Sequence, residues 1–283
     1  MASSQQPRVA VALGAGGARG LAHILVVEAF EELGLAPCMV AGASMGAIVG
    51  AAWAAGLTAR EMRDHLQGLM RNRGELMARL LRARVGRIGD MFGGRLGNPV
   101  LLDAERFLDL FWPQRVPDRF EELGTPLRVA ATDFFGRCER LFDAGPLAPA
   151  VGASMAIPGL LRPVAIDQRV YVDGGAVNPL PYRCLMAEAD VVVACDVVGG
   201  PSLDGRATPS PFDAMFGAAQ IMQGAITAEM LRASRPHVLV RPQVERFRVL
   251  DFFQAQHILA AAAPVKDEVK RGVEAALAAR LAG

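Results

Sequence analysis

Short apolar runs alternate with helical stretches along this chain, and that alternation most constrains what it can fold into. RVAVAL (8–13), CMVAG (38–42), LRVAATD (127–133), ERLFD (139–143), RVYVDGG (169–175), ADVVVACDVV (189–198) and HVLVRP (237–242) read as strands. Several are apolar throughout, as strands buried on both faces must be. Between them, apolar residues recur at helical spacing from about 18 to 33, through MGAIVGAAWAAG, over 58–84 and again near the C-terminus. Strands alternating with helices predict an α/β fold, three layers α/β/α around a largely parallel central sheet.

The 283 residues, 52% of them hydrophobic, are enough to bury a large core. The expected organisation is a disordered tail over 1–7, a main domain over 8–198, and a linker over 199–211 in GGPSLDGRATPSP. A C-terminal helical extension, 212–283, packs on the same domain. A net charge of +1 gives no basis for nucleic-acid binding. Cys38, Cys138, Cys184 and Cys195 are scattered without metal-type pairing, so buried free thiols and a reducing compartment are expected. The start lacks a charged segment followed by a long apolar one, and no run approaches a membrane span. The expected location is cytoplasmic, with room for peripheral contact at the inner membrane surface.

Gly-Ala-Ser-Met occurs twice, around Ser44 and around Ser154. Ser44 sits in Gly42-Ala-Ser44-Met45-Gly46, after a strand and before a helix. Such an elbow strains the serine backbone, and the two glycines let the chain pass closely. Ser154 has Ala156 in place of the second glycine, and Pro158 follows, so it reads as structural. A nucleophilic serine also needs donors for an oxyanion. LGAGGARGLAHI, with Gly14, Gly16, Gly17 and Gly20 around Arg19, offers backbone N–H groups at a strand-to-helix junction. It is not a dinucleotide loop, because Arg19 stands where the third glycine would fall. It is not a P-loop either, since no Lys-Ser or Lys-Thr closes it. Asp173, ending RVYVDGG, could serve as a base once desolvation raises its pKa, or could simply cap a turn.

Together, Gly16-Gly17-Ala18-Arg19-Gly20, Gly42-Ala43-Ser44-Met45-Gly46 and Asp173-Gly174-Gly175, in that order, resemble the patatin-like phospholipase family. GLAHILVVEAFEELG, ASMAIPGLLRPV and VDGGAVNPLP are similar to its bacterial single-domain branch, and the resemblance covers about residues 8–198. It implies a lipid acyl hydrolase with a Ser–Asp dyad, no catalytic histidine and no cofactor or metal. Carried over, Ser44 is the nucleophile and Asp173 the general base. The amides of Gly16, Gly17, Ala18 and Met45 form the oxyanion hole. Arg19 and Gly20 support the loop, Gly42 and Gly46 frame the elbow, and Gly174 and Gly175 turn the chain after the base. Ala15 departs from the plant members, which carry another glycine there.

Two alternatives stay open at this point: a His-dependent esterase or thioesterase, and a non-catalytic lipid-binding regulatory protein. His237 and His257 follow Asp173 in triad order, but neither has a loop context that would aim it at Ser44. Residues 71–95 carry seven Arg against Glu75 and Asp90, interleaved with apolar residues. They read either as a lid or face for anionic lipid head groups, or as a solvated helix with one packed side. The expected partner is a lipid or other acyl-ester substrate.

Overall fold

Val9–Leu13 (β1) is buried along its whole length, so its backbone groups must be satisfied by a strand on either side. A computed structural model of the chain describes residues 7–71, 102–201 and 208–282. After β1 the chain makes a 3-10 turn over Gly17–Ala22 and enters the helix His23–Glu32 (α1). Met39–Ala43 (β2) leads directly into Met45–Ala54 (α2), followed by Ala59–Arg71 (α3) and Ala104–Phe111 (α4). Next come Leu127–Asp133 (β3), Cys138–Phe142 (β4), Leu147–Ser154 (α5), Val164–Ile166 (β5) and Arg169–Asp173 (β6). Val191–Cys195 (β7), Pro211–Ala233 (α6), Val238–Val240 (β8), Ala255–Ala262 (α7) and Val265–Ala282 (α8) complete the described chain.

The strands form one sheet in the order β5-β6-β3-β2-β1-β7-β8, with β4 also paired to β3. β3, β2, β1, β7 and β8 run parallel, whereas β4, β5 and β6 are antiparallel to their neighbours. The sheet is therefore largely parallel, as the alternating pattern predicts. β8 lies in this same sheet and α8 packs on α1, so 237–282 contribute a strand as well as helices. Of the linker expected over 199–211, residues 202–207 lie outside the described residues. So do 1–6 and all but the first residue of 71–95.

Side-chain size sorts the two faces. Along β1, Val9, Val11 and Leu13 join one large apolar cluster with residues of α1, α2, α5 and α8. Ala10 and Ala12 point the other way, as alternation on a strand requires. There they meet Leu180, Tyr182, Leu185 and the end of α6 at Met230 and Leu231. The Tyr182 hydroxyl donates to the Met230 carbonyl at 2.8 Å, tying α6 to that face. The amino-terminal part of α6 reaches the carboxyl edge of the parallel strands.

Candidate active site

The register of β3 brings the two candidate residues together. Ala43, the last residue of β2, pairs with Ala130, and the next residue, Ala131, pairs with Asp173 at the end of β6. β4 occupies the other edge at both positions, through Leu141 and Arg140. β2 and β6 therefore share one edge of β3 in succession and meet end to end. Ser44 follows β2 and Asp173 ends β6. The Ser44 Oγ donates to Asp173 Oδ2 at 2.7 Å.

Ser44 has φ 54° and ψ −123°, the strained left-handed conformation of an elbow. A Cβ on Gly46 would run into the Leu13 carbonyl of β1, so only glycine lets α2 start this close to the sheet. Gly42 is confined in the same way by Gly46 and Ala47. The strain is held from outside the elbow. The Ser44 N–H donates to Ser154 Oγ at 2.9 Å, and that hydroxyl donates to the Ala130 carbonyl at 2.6 Å. Ser154, fully buried at the end of α5, thus clamps Ser44 to β3.

Asp173 is clamped just as firmly. Its N–H donates to the Ala156 carbonyl at 3.0 Å, and its own carbonyl accepts from Thr132 Oγ1 at 2.8 Å. Gly174 lies against the Ala130 carbonyl with no room for a side chain. The Gly175 N–H donates to Asp173 Oδ1 at 2.7 Å. Burial raises the Asp173 pKa from the ordinary 3.8 to about 6, although the bonds from Ser44 and Gly175 favour the ionised form. The carboxyl is therefore poised between acid and base near neutral pH.

The glycine loop closes the third side. Gly17 has φ +57°, and a Cβ there would strike the Val249 carbonyl. The amides of Gly16, Gly17 and Met45 have no acceptor among the described residues, as the first N–H groups of a helical turn commonly lack one. Ala18 departs from the expected set. Its N–H donates to the Val249 carbonyl at 2.7 Å, which withdraws it as an oxyanion donor. Gly20 lies against the Met45 side chain, allowing the turn to pack on α2. Arg19 is 1% exposed, with its guanidinium beneath Gly199 and Nη1 donating to the Phe247 carbonyl at 3.4 Å. Burial lowers its pKa to about 10, opposed by Glu245, Asp196 and Asp251, so it stays charged at neutral pH.

Ser44 and Asp173 open into a cavity of about 420 Å³. Its walls include Gly16, Gly17 and Arg19 of the glycine loop, Ile157 and Pro158, and from α6 Met215, Gln220, Met222 and Gln223. None of the four histidines lines it. His23 Nε2 sits 2.8 Å from the Gly14 carbonyl, and burial lowers its pKa to about 4, so it is neutral and tied to the base of the glycine loop. His237 Nδ1 accepts from the Val192 N–H of β7 at 3.0 Å. Among the described residues no cluster of His, Cys, Asp and Glu could hold a metal ion, and no helix is long and apolar enough to cross a membrane.

The sequence model of the patatin-like phospholipases matches residues 11–186, well over half of the chain. This chain belongs to that family. An uncharacterized NTE family protein of Mycobacterium tuberculosis is 37% identical over 205 residues, covering 71% of this chain and 53% of the relative. The neuropathy target esterase sws of Drosophila melanogaster is 31% identical over 175 residues, 61% of this chain and 12% of that protein. The chain thus spans about half the length of its mycobacterial relatives. VipD from Legionella pneumophila has a similar structure, at 16% identity and a TM-score of 0.43, covering 91% of this chain and 67% of that one.

Three contributors to this patatin-like site escaped the sequence. The clamp by Ser154 was signalled only by the repeated Gly-Ala-Ser-Met, which carries no hint of a partner 110 residues away. The Val249 carbonyl on Ala18 and the wall supplied by α6 had no local signal. Both are contacts between segments distant in the chain.

Proposed function

We propose that this protein is a serine acyl hydrolase that cleaves carboxylic esters of lipids through Ser44 and Asp173. The observation that carries the proposal is the 2.7 Å bond between Ser44 Oγ and the buried Asp173 carboxylate, in a cavity walled mostly by apolar residues, with Arg19, Gln220 and Gln223 also in its lining. Asp173 takes the hydroxyl proton as Ser44 attacks the ester carbonyl. The backbone N–H groups of Gly16, Gly17 and Met45 stabilise the oxyanion, each donor contributing about 3 kcal/mol to the transition state. Asp173 returns the proton to the departing alcohol, leaving an acyl group on Ser44. Water, activated by the same carboxylate, then releases the fatty acid.

The His-dependent alternative has no support from the cavity, whose wall includes no histidine. Arg19, which also lines the cavity, supports the glycine loop and stays charged there. Incubation with a fluorophosphonate probe and mass mapping of the adduct tests the assignment. Label is expected on Ser44, and both label and turnover should vanish in Ser44→Ala. Label on Ser154, or full turnover by Ser44→Ala, overturns it.

A further inference from the structure

The helix α6 wears its apolar side outward. A helix lying on a protein normally turns charged residues to water. In α6 the exposed positions include Ala214, Met215, Ala218, Ile221, Met222 and Ala225, spaced as one helical face, and all are apolar. No ionisable residue occurs between Asp213 and Glu229. Met215, Ile221 and Met222 are 45%, 60% and 59% exposed. A contiguous apolar patch of this kind on a folded domain marks a contact surface.

Its position says what the contact is. Met215 and Met222 stand on the outer face and also line the cavity that holds Ser44 and Asp173. The outer patch therefore runs without a break into the apolar strip of the wall formed by Met215, Ala219, Met222 and Ile226, with Gln220 and Gln223 deeper in the proposed lipid cleft. Resting on the hydrolase assignment above, we propose that this face of α6 seats the protein on a lipid layer, so that an acyl chain passes into the cavity along the two methionines. Lipid is the one occupant whose own molecules also belong inside. The patch has no charge to pair with a charged partner, so docking should depend on acyl chains rather than head-group charge. Methionine side chains suit such a surface because they adapt to a disordered neighbour.

The test separates docking from chemistry. Binding is measured by flotation of Ser44→Ala protein with zwitterionic phosphatidylcholine vesicles and with vesicles that also contain an anionic phospholipid, each at low and high salt. Hydrolysis of a monomeric short-chain ester is measured separately in protein that retains Ser44. Ile221→Glu with Ala225→Glu places two charges on the exposed face, at positions outside the cavity lining. This pair should lower the vesicle-bound fraction about tenfold or more, with hydrolysis of the monomeric ester unchanged. Ile221→Trp should bind at least as well, with a blue-shifted emission on adding vesicles. Three results overturn the proposal: vesicle binding by the charged pair equal to that of its parent, binding only to anionic vesicles at low salt, or no binding by the parent. Sedimentation showing a dimer that the charged pair abolishes, without vesicle binding, assigns the face to a second copy and also overturns it. If the monomeric ester is never hydrolysed, the hydrolase assignment fails instead, whatever the vesicles show.

Discussion

Replacing Asp173 with Asn should abolish ester hydrolysis and at the same time stabilise the protein. The carboxyl is buried, and its pKa rises from 3.8 to about 6. A raised carboxyl pKa means that the native state binds protons more readily than the unfolded chain, so ionisation costs native stability as pH rises. The cost is about 3 kcal/mol at pH 7.5 and about half of that at pH 5, where the native carboxyl is mostly protonated. An amide fills the same space without charge. Its oxygen can accept from the Gly175 N–H, and its NH₂ can donate to Ser44 Oγ, reversing the present bond. In a protein of this size about 1 kcal/mol corresponds to about 2 °C in melting temperature. Asp173→Asn should therefore melt roughly 3–6 °C above the wild type at pH 7.5, with the gap narrowing by about half at pH 5. Thermal scans at the two pH values, on folded and inactive protein, measure both quantities. A variant that melts at or below the wild type at both pH values would refute the reasoning that burial strains this carboxylate.

Further outcomes follow from neighbouring contacts. Ser154→Ala leaves the Ser44 N–H and the Ala130 carbonyl unpaired in the interior. It should cost about 1–3 kcal/mol of stability and slow fluorophosphonate labelling of Ser44 about tenfold. Gly46→Ala drives a methyl group into the Leu13 carbonyl. It should destabilise by about 3 kcal/mol or more in urea unfolding. Hydrolysis should rise with pH through about 6, as Asp173 loses its proton. The same limb should persist in single Ala variants of His23, His65, His237 and His257; its loss in any one of them would point to a histidine base.

Local pattern carried most of the architecture. β1, β2, β3 and β7 are short apolar runs between turn signals, and the buried, largely parallel sheet follows from them. The elbow was legible because its strain needs small neighbours at fixed offsets, and Gly42 and Gly46 supply them. α4, α5 and the three-residue β5 went unseen. Leu147–Ser154 is eight residues of small apolar type with a proline inside, too short and too uniform to show a face. The length of α6 was blurred for the opposite reason: apolar residues lie on both its inner and outer sides, so no amphipathic period marks it. Whether the Ala18 amide is free depends on Val249, far along the chain, and no spacing rule reaches that distance.

The end-to-end meeting of β2 and β6 makes the chemistry contingent on finishing the sheet. Ser44 and Asp173 lie 129 residues apart in the chain, and neither strand alone can aim its residue at the other. During synthesis β1, β2 and α2 emerge first, so the serine exists before its base. Only when β6 zips antiparallel onto the last residues of β3, in register, does the carboxylate arrive. A slip of one residue would send Asp173 to the opposite side of the sheet. A chain caught before that step would carry a serine without its carboxylate partner. On the proposed mechanism, folding itself acts as the safety catch, released by three residue pairs between β3 and β6.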